Sequence, residues 1–267
     1  MTTAQNTLRV AAVQMPINDQ IEENLMRILR AMVRCARDQV QLVVFPETAL
    51  TGYSPSIGHG RDPQDWPNVQ QALERVAQAA KEMRLWVALG TEAWQDDHWR
   101  NRLCIYGPDG GGEVTHYDKV HLMDADTRFY QPGDRYPVFL LGDIVVGLQI
   151  CYDARFPEGY RALLHQGAQV IVQGFYGAGG DTWKVPVLAA HLRSRAAESG
   201  CFVVAANVAA PLQIMVSQII DPLGLLLAQA NQDHEEIITA SLDLQQVEQS
   251  EIRRNYWTRF EGRALRP

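Results

Sequence analysis

The sequence predicts an α/β protein in which mixed sheets are covered on the outside by helices. Three observations carry that expectation. Short apolar runs of strand length alternate with segments of helical periodicity along the whole chain. Hydrophobic residues are 46% and charged residues 21% of the 267 positions, enough for a large buried core and unlike a disordered chain. No linker, low-complexity stretch or internal repeat interrupts the rhythm, which predicts one continuous domain over residues 1–267.

Residues 8–15 (LRVAAVQM) form an apolar run closed by Pro16, the pattern of a buried strand. A helix follows, with Ile21, Leu25, Ile28, Leu29, Met32 and Cys35 on one face, charged residues on the other, and Asn18 or Asp19 as N-cap. Residues 42–45 (LVVF) are a second strand stopped by Pro46. A helix over 68–83, on Val69, Leu73, Val76 and Ala80, leads to a strand at 85–92. Strands at 103–106 and 113–117 flank Gly107-Pro-Asp-Gly-Gly-Gly112, a hairpin connection. That run is not a phosphate loop, because it lacks the Gly-Lys-Ser/Thr ending and precedes a strand. Strands at 138–141, 144–150 and 169–173 alternate with helices at 157–165 and 183–198. Strands at 202–206, 216–220, 225–228 and 237–242 then precede a short helix and a polar tail from Asn255.

Charge and cysteine usage narrow the function classes. A formal net charge of −7 provides no broad cationic field, so nucleic acid is not an expected partner. No apolar run reaches the ~20 residues that span a bilayer, and residues 1–9 lack the layout of a secretory signal; no membrane partner and a cytoplasmic location are expected. The four cysteines (Cys35, Cys104, Cys151, Cys201) lie far apart, without zinc or redox spacing, and are expected to remain thiols.

Three motifs place a polar residue directly after a buried strand, where α/β folds gather their ligand sites. In Phe45-Pro46-Glu47 the carboxylate falls in an apolar setting, which favours its neutral form and poises it as a base. In Tyr117-Asp118-Lys119-Val120-His121-Leu122, Lys119 interrupts a strand-like stretch; it is either a surface lysine with a snorkelling stem or a buried and paired one. His121 reads as a structural histidine. In residues 147–158 (GLQICYDARFPE) a strand ends at Cys151 and turns into a helix, whose N-terminus favours a thiolate. Cys35, Cys104 and Cys201 read as inert core thiols.

Together with residues 10–14, 45–53 (FPETALTGY), 131–134 (QPGD), 195–207 and 219–224 (IIDPLG), these motifs resemble the nitrilase or carbon-nitrogen hydrolase superfamily. Its Glu-Lys-Cys triad occurs in this order and in these local contexts. The resemblance implies a four-layer α-β-β-α sandwich, a homodimer or larger homo-oligomer, and neither a metal nor an organic cofactor. It implies that Glu47 takes the proton of Cys151, that the thiolate attacks an amide carbonyl, and that Lys119 and the Tyr152 N–H hold the oxyanion. Many members carry a second glutamate before the Pro-Gly that follows the lysine; counting back from Pro132-Gly133, the matching residue here is Asp126, one methylene shorter, with a supporting role.

Tyr152-Asp153 after the nucleophile resembles the amidase branches rather than the Trp-Glu of true nitrilases. The expected substrate is therefore a small carboxamide, cleaved to a carboxylic acid and ammonia. The rivals are an N-carbamoyl amide hydrolase, a nitrilase, and a non-enzymatic binding protein on the same scaffold. Tyr53, Tyr152, Phe175 and Tyr176 are the candidate pocket residues, and Arg155, Arg193 and Arg195 are candidates to hold a substrate carboxylate.

Overall fold

The structure, a computed structural model, describes residues 7–181 and 183–260. The chain begins with β1 (Thr7–Gln14), α1 (Ile21–Arg37) and β2 (Leu42–Val44). The short α2 (Ser54–Ile57) and the long α3 (Trp66–Met83) lead to β3 (Trp86–Gln95), β4 (His98–Tyr106) and β5 (Glu113–Asp118). Next come β6 (Val138–Leu141), β7 (Ile144–Ile150), α4 (Pro157–His165), β8 (Val170–Phe175), α5 (Lys184–Ser199) and β9 (Phe202–Asn207). The last elements are β10 (Gln218–Ile220), β11 (Leu226–Gln229), β12 (Glu236–Asp243), α6 (Gln245–Glu248) and α7 (Glu251–Phe260). The polar tail expected from Asn255 is helical as far as residue 260, and its remainder lies outside the described residues.

These strands form two six-stranded sheets, ordered β12-β1-β2-β3-β4-β5 and β11-β10-β9-β8-β7-β6. Both are mixed. β1, β2 and β3 run parallel in the first, and β7, β8 and β9 run parallel in the second. Alternate residues of the strands explain the layers. Val10, Leu42, Val44 and Ile105 of the first sheet share one cluster with Val146, Leu148, Val172 and Val204 of the second, so the sheets pack face to face. On the other face of the first sheet, Leu25, Ile28 and Met32 of α1 and Val69 and Val76 of α3 form a second cluster with Val43 and Leu89. Tyr160 and Leu163 of α4 and Leu192 and Ala196 of α5 do the same on Ile171 and Val203. The result is the four-layer α-β-β-α sandwich expected from the resemblance. Each fully buried Leu or Ile contributes roughly 1.5–3 kcal/mol to this core.

Two local expectations change. The N-cap of α1 is Gln20, with no side-chain cap. Asn18 instead accepts the Gln20 N–H at 2.9 Å and its carbonyl accepts from Asn24 at 2.7 Å, so it closes the turn before the helix. The strands expected at 85–92 and 103–106 are the inner ends of one long hairpin. Asp96 (φ 52°) and Asp97 (φ 61°) turn it through two left-handed residues, a conformation Asp tolerates by bonding its own backbone.

Candidate active site

Glu47, Lys119 and Cys151 come from the ends of strands in different sheets. Glu47 lies three residues beyond β2, Lys119 directly follows β5, and Cys151 directly follows β7. The turn holding Glu47 is pressed between two glycines. A Cβ at Gly90 would lie 2.1 Å from the Pro46 carbonyl oxygen, and one at Gly174 would lie 2.7 Å from the Glu47 nitrogen. Thr48 follows at φ 49°.

Glu47 is 1% exposed, yet it does not sit in the purely apolar surroundings that the sequence suggests. One carboxylate oxygen accepts from Lys119 Nζ at 2.8 Å and from the Asn101 amide at 2.7 Å, and the other accepts from the Tyr176 N–H at 2.8 Å. Three donors compensate its loss of water. Lys119 is fully buried, which settles the choice between a snorkelling and a paired lysine. Its Nζ also reaches Asp126 at 2.7 Å. Burial alone would depress the ammonium's pKa, but the Glu47 and Asp126 carboxylates raise it well above the ordinary lysine value. Lys119 is therefore charged. Asp126, at 0% exposure, is held by the Tyr53 hydroxyl and by the Met123 N–H at 3.0 Å. The shorter side chain at this position still reaches the lysine.

Cys151 opens a 3-10 turn, Cys151–Arg155, with φ 42°. A left-handed residue other than glycine is strained, and such strain concentrates where a side chain must be presented. Asp153 fixes the turn. It accepts the Ile150 N–H at 3.1 Å and the Tyr117 hydroxyl at 2.8 Å on one oxygen, and the His121 N–H at 2.9 Å with the His121 ring at 2.8 Å on the other. Thus one carboxylate binds the cysteine turn to the segment that carries Lys119. The expected thiolate is not the resting state. Burial, and the negative charge of the nearby Glu47 carboxylate, push Cys151 well above the usual thiol range; Lys119 offsets this incompletely. The short 3-10 turn, rather than a long helix, follows the cysteine, so little helix dipole opposes that rise.

A cavity of about 630 Å³ opens over Cys151, lined in part by Tyr53, Tyr152 and Tyr176. Phe175 does not reach it. The last residue of β8 is fully buried against α5 in the cluster of Ile171 and Leu192, because neighbouring strand residues point to opposite faces. Of the three arginines, only Arg155 lines the cavity. Arg193 donates to the Gly224 carbonyl at 2.8 Å, and buried Arg195 donates to Ala154 at 3.0 Å and pairs with Glu198 at 2.8 Å. Cys35 and Cys201 are buried, with pKa values pushed up to about 12 and about 11 by burial, and buried Cys104 is raised as well. They are core thiols, as expected. Among the described residues no cluster of His, Cys, Asp or Glu has the geometry to hold a metal ion. No helix among them is long and apolar enough to cross a membrane. Asn101 and Asp153 were not anticipated as site residues; Asp153 enters the sequence reading only through the Tyr152-Asp153 pair that resembles the amidase branches, and no pattern marks Asn101.

The layered fold, with a thiol, a carboxylate and an ammonium gathered at strand ends under one cavity, defines an α-β-β-α hydrolase scaffold. The chain belongs to the carbon-nitrogen hydrolase family, whose model matches residues 9–251, and is an enzyme of that family. It is 32% identical over 241 residues to an (R)-stereoselective amidase of a Pseudomonas species, covering 87% of this chain and 83% of that one. It is 30% identical over 266 residues to an omega-amidase of Xenopus tropicalis, covering 92% and 94%. Its fold superposes on a carbon-nitrogen hydrolase of Helicobacter pylori with a TM-score of 0.85 at 17% identity, over 97% of this chain and 96% of that one.

Proposed function

We propose that the chain is an amidase that hydrolyses a small carboxamide to a carboxylic acid and ammonia, through a thioester on Cys151. The observation that carries this reading is the pairing of Glu47 with Lys119, fully buried and 2.8 Å apart, beside the neutral thiol of Cys151. A neutral thiol needs a base at the moment of attack, and Glu47 is that base. The S–H proton passes to Glu47 as sulfur bonds to the amide carbon, and the carbonyl oxygen becomes an oxyanion held by Lys119 and the Tyr152 N–H. Such a donor is worth about 3 kcal/mol. Collapse breaks the C–N bond, and the departing nitrogen takes the proton from Glu47. Glu47 next removes a proton from water as its oxygen attacks the thioester; the C–S bond breaks, and sulfur recovers the proton. Asp126 supports the step by holding Lys119 in place.

The same reading treats the chain as one domain, supported by β12 pairing with β1 along all eight residues of each. It also predicts a homodimer or larger homo-oligomer, which sedimentation measures. Similarity to the two amidases supports the amide reading. The test is an ammonia-release screen over aliphatic, aromatic, amino-acid and carbamoyl amides with nitriles included. Ammonia from an amide, lost in Cys151→Ala with an unchanged circular-dichroism spectrum, is expected. Carbon dioxide alongside ammonia would show decarbamoylation instead, and unchanged turnover by the variant would sink the mechanism.

A further inference from the structure

The proposed hydrolysis leaves the acyl side of the substrate undefined, and the wall of the cavity over Cys151 narrows it. That wall is built from Leu122, Met123, Trp183, Val187, Leu188 and Ile214. Trp183 keeps 59% of its surface exposed, and the other five are only partly buried, so apolar surface faces an open cavity. At about 630 Å³ the cavity falls within the range of drug-sized ligand sites, roughly 300–1,000 Å³. An amide of a few heavy atoms would leave most of this wall in water.

The charges around the cavity do not suit an anionic acyl chain. Lys119 is already shared between Glu47 at 2.8 Å and Asp126 at 2.7 Å. Lys184 pairs with Asp181 at 2.5 Å and lies 5.6 Å from the centroid of the Trp183 ring. Arg155 and Asp124, of opposite sign, are both exposed to solvent. Arg155 stands 5.8 Å from the centroid of the Tyr152 ring. A carboxylate placed among the apolar residues would lose its water, and of the two lining cations outside the buried triad, Arg155 is solvent-exposed and Lys184 is already paired.

Resting on the proposed hydrolysis, we infer that the preferred substrate carries a neutral, bulky, apolar acyl group, of the arylalkyl or branched-alkyl class. Its apolar body covers Trp183, Leu188 and Ile214 while the amide reaches Cys151. Specificity then comes from burial of that body rather than from ion pairing.

The experiment measures kcat/KM for ammonia release by the full chain on propionamide, hexanamide, 3-phenylpropionamide and adipamic acid, the last being hexanamide ended by a carboxylate. Each buried methylene is expected to raise kcat/KM about fourfold. The phenyl compound should exceed propionamide by about 100-fold, and adipamic acid should fall at least about tenfold below hexanamide. Trp183→Ala should narrow the ratio of the phenyl compound to propionamide by about tenfold. A flat series, a preference for adipamic acid, or a ratio untouched by Trp183→Ala would overturn this inference while leaving the hydrolysis standing. Absence of turnover on every amide of the broader screen would overturn the hydrolysis itself.

Discussion

The two sheets contribute unlike halves to the site. From the first come Glu47, Lys119 and Asn101, with Asp126 from the loop after β5, a buried group in which both carboxylates and the ammonium are paired. From the second comes Cys151, neutral, partly exposed and held at a left-handed backbone angle of 42°. One half is electrostatically saturated and geometrically fixed; the other is reactive only when a proton leaves it. Among the contacts that register one half on the other are the Tyr117 hydroxyl and His121 on Asp153, the Tyr176 N–H on Glu47, and Gly174 against the Glu47 turn. The comparison teaches that the rate should depend on three separable things, namely the charge of the first half, the proton of the second and the junction between them.

Removing the charge is the largest break. Lys119→Met leaves Glu47 and Asp126, at 1% and 0% exposure, facing each other without a cation. Under the proposed reaction it also removes an oxyanion donor, so kcat should fall by about 1,000-fold. Stability should fall by about 3–5 kcal/mol, the usual consequence of breaking a buried ion pair. Urea unfolding and single-turnover kinetics measure the two effects. A variant that keeps wild-type kcat would show that the first half supplies only structure.

The proton of the second half is tested by alkylation. Because the Cys151 pKa is raised above its usual 9.0, the thiol is neutral through the physiological range. Below a raised pKa the thiolate fraction climbs tenfold per pH unit, so iodoacetamide labelling should rise about 100-fold from about pH 7 to about pH 9 without levelling off. Peptide mass spectrometry locates the label. A plateau near neutrality would mean a resting thiolate, and the contrast between the halves would disappear.

How much of this was legible in the sequence follows the same division. The strands were legible because apolar runs closed by Pro or polar residues have few alternatives, and Glu47, Lys119 and Cys151 were legible because each stands at such an end. Asp126 was found by counting back from Pro132-Gly133, and the count lands 2.7 Å from Lys119. Contacts made across the fold were not legible. Asn101 meets Glu47 over a separation of 54 residues, with no local pattern to announce it. Phe175 and Tyr176 look alike as pocket residues, and only the strand's end decides that one enters the core while the other turns toward Glu47. The resting state of Cys151 depends on burial by both sheets, which a helix N-terminus in the sequence cannot reveal.

The junction is tested by Asp153→Asn. Both oxygens of Asp153 accept from two donors, so whichever way an amide is turned, its NH2 faces two of them. The cysteine turn and the Lys119 segment should loosen against each other, and kcat should fall about 30-fold with little change in KM, since positioning rather than substrate contact is lost. Equal loss in KM would place Asp153 in substrate binding.

The smallest effect expected is that of Asn101→Leu, which keeps the bulk and deletes one donor to Glu47. Lys119 and the Tyr176 N–H remain on the carboxylate, at 2.8 Å each, so Glu47 stays oriented from two sides. One charge-assisted hydrogen bond is worth about 1.5–3 kcal/mol, but a substitution by an apolar group of similar shape leaves no orphaned partner on the side chain. A fall of about tenfold in kcat with KM little changed is expected, and single-turnover kinetics measure it. An unchanged kcat would show that Asn101 only fills space beside a carboxylate that Lys119 and the Tyr176 N–H already hold.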